Sequence, residues 1–280
     1  MTKYGSLTGK VACITGAGRA NGIGVAIAER LARDGARVVL TDIGAAAGPD
    51  LPESFIGTVA ELELQAESIR EKGGDAVAHR CDVLDEADVE ACVKFCVERH
   101  GRLDIWVNNA GVGYLMEPLT ELDATRWDTV LGVNLRGAFL GTKHAARQMI
   151  AQGEGGRIVN IASQAAKSGF PFASAYCASK HGMVGLTRVS AIELGPHKIT
   201  TNAVCPNHIT TGLGAWQNDY FSAATGRSLE QYLADMRRRI PMGRPGLTDD
   251  IANACAWLCS DDAYYVTGEA LNVSGGEEMH

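Results

Sequence analysis

Long apolar runs and basic clusters are both missing from this sequence of 280 residues. No stretch approaches the roughly 20 apolar residues that a membrane span needs, and the first residues, MTKYGSLTGK, lack the hydrophobic core of a secretory signal. Asp and Glu outnumber Lys and Arg by 33 to 26. Because an acidic surface repels phosphate backbones, the sequence predicts a cytoplasmic protein with no membrane and no nucleic-acid partner.

The eight cysteines include no C-x-x-C pair. Cys92 and Cys96, like Cys255 and Cys259, lie four residues apart in amphipathic helical patterns, where the two thiols of each pair share one buried face. No cluster of histidines accompanies either pair. The pattern therefore predicts buried structural cysteines and no metal site.

Short apolar runs rich in β-branched residues alternate with longer helical patterns. The runs predict strands over 10–15, 37–42, 76–82, 103–109, 156–163, 199–206 and 270–275. The helical patterns predict helices near 22–34, 58–72, 85–100, 123–151, 174–195 and 248–260. Strands that are apolar on both faces are typical of a parallel sheet between two helix layers. The expected fold is α/β, a single doubly wound Rossmann sheet of about seven strands, in one domain over 1–280.

Two connections are longer than the others. Residues 43–58 form a Gly/Pro/Ala-rich stretch after the second strand, and residues 211–241 separate the sixth strand from the last helix. The second connection begins at the carboxyl end of a strand, where open α/β sheets bind ligands. We therefore expect residues 212–239 to cover a substrate.

The stretch TGAGRANGIG, residues 15–24, lies between the first strand and the first helix. Gly16 permits a tight turn, and Gly22 and Gly24 permit close approach of a pyrophosphate to the helix N-terminus. Asp42 ends the second strand, where its carboxylate can bind the adenosine ribose and repel a 2′-phosphate, which favours NAD over NADP. Arg19 argues the other way, because a guanidinium can bind that phosphate.

Tyr176 and Lys180 lie four residues apart in a predicted helix and therefore share one face. A neighbouring ammonium stabilises a phenolate, so we expect it to lower the pKa of Tyr176 toward the working range of a general acid or base. Ser163 ends the preceding strand, where its hydroxyl can bind the reacting oxygen.

With these residues in place, the sequence resembles the short-chain dehydrogenase/reductase family of the classical type over nearly its whole length. The matching parts occur in order: the glycine loop at 15–24, Asp82-Val83, NNAG at 108–111, Asn134, Ser163, YCASK at 176–180 and PNHITT at 206–211. The resemblance implies that the catalytic residues are Asn134, Ser163, Tyr176 and Lys180. Together with the glycine loop and Asp42, the resemblance implies a set of cofactor-binding residues. They are Gly16, Arg19, Asn21, Gly22, Ile23, Gly24, Asp42, Asp82, Val83, Asn109, Ala110, Gly111, Tyr176, Lys180, Pro206, Ile209 and Thr211.

The sequence departs from the family pattern at three places. The glycine loop is two residues longer, and we expect Asn21 or nearby N–H groups to reach the pyrophosphate or ribose. Asn207 stands where the family commonly has Gly, and we expect it to tolerate a left-handed turn there. The connection over 43–58 is longer than usual.

The expected reaction is hydride transfer between NAD(H) and a secondary alcohol or ketone, and the expected assembly is a homotetramer, as for relatives. The substrate pocket is expected to be formed by QAAKSGFPFAS, residues 164–174, and by the cover over 212–239. Aromatic residues in these two segments favour a hydrophobic or ring-bearing substrate, although they serve equally well to pack the cover onto the body. These residues are Phe170, Phe172, Trp216, Tyr220 and Phe221. The alternatives are an NADP-dependent carbonyl or 3-oxoacyl reductase and a non-catalytic cofactor-binding protein.

Overall fold

A computed structural model describes residues 6–45, 56–113 and 115–279. It contains a seven-stranded sheet, in which every pair of neighbouring strands is parallel and the spatial order is β3-β2-β1-β4-β5-β6-β7. The strands are β1 (Val11–Thr15), β2 (Arg37–Asp42), β3 (Asp75–Arg80), β4 (Ile105–Asn108), β5 (Gly156–Ile161), β6 (Ile199–Pro206) and β7 (Ala270–Val273). The predicted doubly wound sheet is confirmed.

Nine α-helices connect or follow these strands within the described residues. They are α1 (Ile23–Arg33), α2 (Val59–Glu71), α3 (Glu86–His100), α4 (Ala124–Leu131), α5 (Gly137–Gln152), α6 (Ser174–Leu194), α7 (Gly212–Ala224), α8 (Leu229–Arg239) and α9 (Thr248–Cys259). Side chains at helix starts accept hydrogen bonds from free N–H groups: Thr58 and Ser228 form capping boxes, and Asp85 caps α3.

The two faces of the sheet are covered by different helices. Ala12 and Ile14 of β1 point into a core that α1, α2 and α9 share, whereas Val11 and Cys13 point into a core with α3 and α5. Successive strand residues face opposite sides, so strands buried on both faces show apolar runs instead of alternation. Chain order reverses between β1 and β4, and this places a crevice at their carboxyl ends.

The segment predicted as one helix over 123–151 is interrupted. A π-helical turn, Gly132–Arg136, separates α4 from α5, and it contains the fully buried Asn134. Single π-helical turns within helices are frequent at functional sites, because the extra residue shifts side chains and carbonyls out of the regular ladder.

The long connection after β6 contains α7 and α8, which the sequence analysis did not predict. Its two ends lie next to each other: Gly246 donates to the carbonyl of His208 at 2.8 Å, and Thr210 donates to the carbonyl of Gly246 at 3.0 Å. The excursion between them is therefore anchored at one point of the body. Of the other long connection, residues 46–55 lie outside the described residues.

The cysteines behave as the sequence predicted in one respect: Cys92, Cys96, Cys255 and Cys259 are all buried. The fold also brings Cys13 of β1 to the first pair, with 3.6 Å between the sulfurs of Cys13 and Cys92. The sulfurs of Cys13, Cys92 and Cys96 lie within 4.8 Å of one another. Their neighbours in that core are mainly aliphatic and aromatic side chains.

Candidate active site

The crevice at the carboxyl ends of the strands opens into a cavity of about 730 Å³. Most of the site residues predicted from the sequence line this single cavity. They are Gly16, Arg19, Asn21, Gly22, Ile23, Asp42, Asp82, Val83, Asn109, Ala110, Gly111, Ser163, Tyr176, Lys180, Pro206, Ile209 and Thr211. Gly24 and Asn134 lie behind the lining instead.

Gly16 and Gly24 shape the glycine loop in different ways. Gly16 has a φ of +65°, and a Cβ there would lie 2.7 Å from Cα of Ala110. A Cβ on Gly24 would lie 2.5 Å from the carbonyl oxygen of Gly16 and 2.6 Å from Nδ2 of Asn109. Gly24 therefore serves the packing of α1 against the loop, while Gly16 gives the turn its left-handed backbone.

The N-terminus of α1 faces this loop with its N–H groups uncapped by any side chain. Gly22 is the N-cap residue and offers no side-chain acceptor, and the first turn contains no acidic residue. The first N–H groups of a helix have no intrahelical partners and attract anions. The start of α1 is therefore suited to a phosphate group.

Asp42 lies at the end of β2 beside the glycine loop. Its Oδ2 accepts a hydrogen bond from the N–H of Gly18 at 2.9 Å, and its Oδ1 accepts one from the N–H of Ile43 at 2.8 Å. Burial raises the pKa of Asp42, while these two hydrogen bonds and the charge of Arg19 oppose the rise. The carboxylate thus orients the glycine loop as well as lining the cavity.

The NNAG segment ties the end of β4 to the start of the glycine loop. Nδ2 of Asn109 donates to the carbonyls of Thr15 and Gly16 at 2.8 and 2.9 Å. The N–H groups of Asn109 and Ala110 both donate to the hydroxyl of Thr15 at 3.0 Å. The two strands on either side of the reversal are thereby held in register at the crevice.

Ser163, Tyr176 and Lys180 meet on the opposite side of the crevice. Ser163 lies two residues beyond β5, where its hydroxyl caps a short helical turn by accepting from the N–H of Ala165 at 3.1 Å, and its hydroxyl opposes the rise that burial causes in the pKa of Tyr176. Lys180 donates to the carbonyl of Ile161 at 2.8 Å, and its Nζ lies 5.6 Å from the centroid of the Tyr176 ring.

The expectation that Lys180 lowers the pKa of Tyr176 is wrong for this structure. Burial raises the pKa of Tyr176, and the hydrogen bond from Ser163 offsets only part of that rise. Burial also lowers the pKa of Lys180 to about 8. Both shifts have one cause, because a low-dielectric site disfavours the charged form of each group.

Asn134 connects helix α6 to the segment that follows β4. Its Oδ1 accepts from the N–H of Val112 at 2.8 Å, and its Nδ2 donates to the carbonyl of Val112 and to Oγ of Ser179, both at 3.0 Å. Ser179 in turn donates to the carbonyl of Tyr176 at 2.7 Å. The side chain of Asn134 thus positions the turn that carries Tyr176.

Asn207 does not adopt the left-handed backbone that the sequence analysis expected. The only described non-glycine residues with positive φ are Phe172 and Lys198. The amide of Asn207 instead donates a hydrogen bond to the carboxylate of Glu277. The residue therefore connects the end of β6 to the segment that follows β7.

Five aromatic residues were expected near a substrate, and in the structure only some of them line the cavity. Phe170 and Phe221 line the cavity, in edge contact at 6.1 Å between ring centroids. Trp216, Tyr220 and Phe172 pack behind them, with Trp216 stacked on Tyr220 at 5.3 Å. Two of the aromatic residues are thus placed to contact a substrate, and the other three pack the cover onto the body.

Further lining residues come from the two segments that were expected to form the substrate pocket. Gln164 and Ser168 lie between Ser163 and Tyr176, and Leu213, Gln217 and Tyr232 lie within 212–239. Glu277 also lines the cavity and was not predicted. Glu277 lies over 110 residues along the chain from Ser163 and carries no motif, so only the fold reveals it.

Comparisons with known proteins agree with this arrangement. Residues 16–278 match a family model described as enoyl-(acyl carrier protein) reductase. A short-chain dehydrogenase/reductase of Armillaria gallica is 39% identical, covering 96% of this chain and 95% of the relative. The chain belongs to the short-chain dehydrogenase/reductase family of oxidoreductases.

Two further relatives bear on the cofactor and the substrate. D-threitol dehydrogenase of Mycolicibacterium smegmatis is 39% identical, covering 96% of this chain and 93% of that protein. The crystal structure of an actinorhodin polyketide ketoreductase variant with NADPH has a TM-score of 0.86 and 36% identity, and each chain is covered completely. None of the described helices combines the length and apolarity required to cross a membrane.

Proposed function

We propose that this protein is an NAD(H)-dependent oxidoreductase that interconverts a secondary alcohol and its ketone. The observation that carries the proposal is that Ser163 and Tyr176, with the buried ammonium of Lys180 5.6 Å from the Tyr176 ring, line the same cavity as Asp42 and the glycine loop. When bound there, the nicotinamide supplies the hydride acceptor or donor.

The residues present fit a dinucleotide. The uncapped start of α1 suits the pyrophosphate, and Gly22, Asn21 and Ile23 line the cavity at that point. Asp42 suits the hydroxyls of an adenosine ribose, whereas a 2′-phosphate would meet its negative charge. Asp82 and Val83 would hold the adenine, and Ile209 and Thr211 would hold the carboxamide.

Each catalytic side chain has a distinct role in the proposal. Ser163 donates a hydrogen bond to the substrate oxygen and thereby fixes its position. Tyr176 gives a proton to that oxygen during reduction and takes one during oxidation. A neutral phenol suits reduction directly, since it already carries the proton. Lys180 places a positive charge near the ring, and Asn134 is the positioning residue for this helix.

An NADP-dependent carbonyl reductase is the second candidate function. Arg19 lines the cavity near enough to Asp42 to influence its charge, and one structural neighbour was solved with NADPH. Asp42 nevertheless lies directly against the glycine loop, because its Oδ2 accepts a hydrogen bond from the N–H of Gly18 at 2.9 Å. This contact favours NAD.

We further propose that residues 1–280 form one cytoplasmic catalytic domain that assembles as a homotetramer, with residues 212–239 as its substrate cover. A small-molecule alcohol or ketone is the proposed partner. Helix α7 contributes Leu213, Gln217 and Phe221 to the cavity, and α8 contributes Tyr232 and Arg239. These contributions support the role of residues 212–239 as the substrate cover.

The test combines cofactor binding with turnover. We expect NADH to bind at least about tenfold more tightly than NADPH in a fluorescence titration, and Asp42→Ser to reduce that preference, because the variant removes the charge that repels a 2′-phosphate. Secondary alcohols should be oxidised with NAD⁺. Tyr176→Phe should lose at least about a hundredfold in kcat and still bind NADH. Tighter binding of NADPH, or a fully active Tyr176→Phe, would overturn the proposal.

A further inference from the structure

Part of the cavity lining consists of polar side chains that the proposed chemistry does not use. We call this part the polar wall, and it consists of Asn207, His208, Tyr232, Arg239 and Glu277. These residues come from the segment after β6, from α8 and from the segment after β7. The proposed cofactor-binding residues include none from α8 or from the segment after β7, so Tyr232, Arg239 and Glu277 belong to the substrate side.

Glu277 is the centre of the polar wall. Its carboxylate accepts hydrogen bonds from the amide of Asn207 and from Nε of Arg239, the latter at 3.2 Å, and its side chain is only 14% exposed. Arg239 also interacts with the phenol of Tyr232. A carboxylate with so little access to water depends on partners inside the cavity.

The segment that carries Glu277 also contacts residues that follow Ser163. Gln164 directly follows Ser163, and its Nε2 donates to the carboxylate of Glu278 at 2.6 Å. Ser168 donates to the same carboxylate at 3.4 Å. A substrate whose oxygen lies at Ser163 therefore extends toward the segment that carries Glu277 and Glu278.

The charges of this region favour a neutral ligand. The guanidinium of Arg239 pairs with Glu277, and Glu278 adds a second carboxylate next to that pair. Burial lowers the pKa of His208, so its imidazole is neutral at neutral pH. At the polar wall an anionic substrate would meet the carboxylate of Glu277 and a guanidinium already paired with it, whereas a hydroxyl can donate to the carboxylate and accept from the guanidinium at once.

The remaining lining accommodates the carbon skeleton of such a ligand. Phe170 and Phe221 present apolar surface in the same cavity, and Tyr220 packs on Phe221 from behind at 5.4 Å. C–H groups of a hydroxylated chain or ring pack on aromatic faces while their hydroxyl groups seek hydrogen bonds. The site thus combines both surfaces that a polyhydroxylated molecule presents.

We propose that the polar wall selects a neutral polyol, or the ketone derived from it, by binding a hydroxyl other than the one that reacts. Arg239 and Glu277 are the specificity-determining pair, and Asn207 is the residue that positions Glu277. This inference rests on the proposed function and names its substrate class.

Four-carbon substrates of matched size test the inference in the full chain with NAD⁺: sec-butanol, a tetritol and the anion β-hydroxybutyrate. We expect kcat/KM for the tetritol to exceed the values for the other two. Arg239→Met should lower the tetritol value by about 10- to 100-fold, the loss expected for a hydrogen bond to a charged group, and leave sec-butanol within about twofold.

Arg238→Met is the matched control, because the neighbouring Arg238 pairs with Asp235 on the surface and does not line the cavity. It should change none of the three values. Glu277→Gln should lower the tetritol value as Arg239→Met does, and Asn207→Gly should raise KM for the tetritol while sparing kcat. An equal loss for tetritol and sec-butanol in Arg239→Met, or a wild-type preference for sec-butanol or β-hydroxybutyrate, would overturn the inference.

Binding without turnover separates this inference from the proposed function. In Tyr176→Phe saturated with NADH, ligand-observed NMR should detect tetritol binding that Arg239→Met weakens at least about tenfold. Tetritol binding without oxidation by the wild type would overturn the proposed reaction and support the polar wall. Oxidation of sec-butanol without any tetritol binding would overturn the polar wall and support the reaction.

Discussion

Lys180 is an ionisable residue in a buried site, where the charged form of its side chain is disfavoured. Its side chain is 4% exposed, and burial lowers its pKa from 10.5 to about 8. The unfolded chain keeps this proton up to pH 10.5, so the unfolded state binds more protons than the folded state between about pH 8 and 10.5. Stability from this group therefore rises with pH across that window, and below it the buried ammonium costs the fold about 3 kcal/mol.

Lys180→Met should accordingly raise the free energy of unfolding at pH 7 by about 1–3 kcal/mol, because it keeps the length of the side chain without its charge. The difference from wild type should shrink as pH approaches 10.5, and turnover should be lost. Urea unfolding at pH 7 and pH 10 measures this. Lys167→Met serves as the control, since Lys167 donates to the carbonyl of Ala270 but is only partly buried. A Lys180→Met variant less stable than wild type at both pH values would contradict the prediction.

Individual residues show where sequence reasoning about the site succeeds and fails. The spacing of Tyr176 and Lys180 and the place of Ser163 after a strand were enough to bring these groups together. The sign of the pKa shift of Tyr176 was wrong, because burial is a property of the folded environment and not of residue spacing. The same limit applies to Asn207, whose partner Glu277 is 70 residues distant along the chain.

The close packing of helix α1 against the glycine loop requires a residue without a Cβ at position 24. Gly24→Ala would place a Cβ 2.5 Å from the carbonyl oxygen of Gly16, which belongs to the backbone of the loop. We expect this variant to lose roughly 2 kcal/mol of stability and to bind NADH at least about tenfold more weakly, because the helix must move away from the loop.

Gly185→Ala is the control for that change, because a Cβ at Gly185 in α6 meets nothing within 4 Å. Helix propensity alone should make this control more stable by up to about 1 kcal/mol. Thermal unfolding and NADH titration of both variants give the comparison. Wild-type affinity in Gly24→Ala would show that the loop does not need this contact.

The strands and most helices that the sequence predicted correctly have faces buried in the core. The elements it missed were missed for different reasons. The π-helical turn at Gly132–Arg136 lies within a helical pattern that continues on both sides, and α7 lies in a segment rich in polar and aromatic residues. Helix α8 carried local signals that were not used: the capping box of Ser228 and Gln231, Glu230 in its first turn and the arginines at 237–239 in its last turn.

Several large apolar side chains are exposed on the surface of the molecule. Tyr265 is 97% exposed, and Tyr264 and Trp257 near it are also exposed. Phe139 and Ile150 are exposed on α5. Exposed apolar patches of this kind mark interaction surfaces, which supports the proposed homotetramer with interfaces at the C-terminal segment and at α5.

Light scattering after gel filtration should therefore give a mass of about four times 29.6 kDa. Tyr265→Asp should shift the protein toward dimers, since a buried unpaired charge destabilises the contact by several kcal/mol. Asp substitution of the exposed Leu64 on α2, outside both proposed interfaces, should leave the mass unchanged. A monomeric wild type would refute the assembly.

The anchored ends of the excursion after β6 have a consequence for how this enzyme can change. Because His208 and Thr210 are bonded to Gly246, the segment between them begins and ends at one place whatever its internal sequence. Insertions and exchanges in such a segment cost little, since closing the loop adds no new constraint on the body. Residues 212–245, which follow the proposed cofactor-binding residue Thr211, can thus be inherited or transplanted as an interchangeable cassette, leaving the dinucleotide half and the Ser163–Tyr176–Lys180 group untouched. New substrates would then arise by replacing one stretch of chain while the chemistry stays constant.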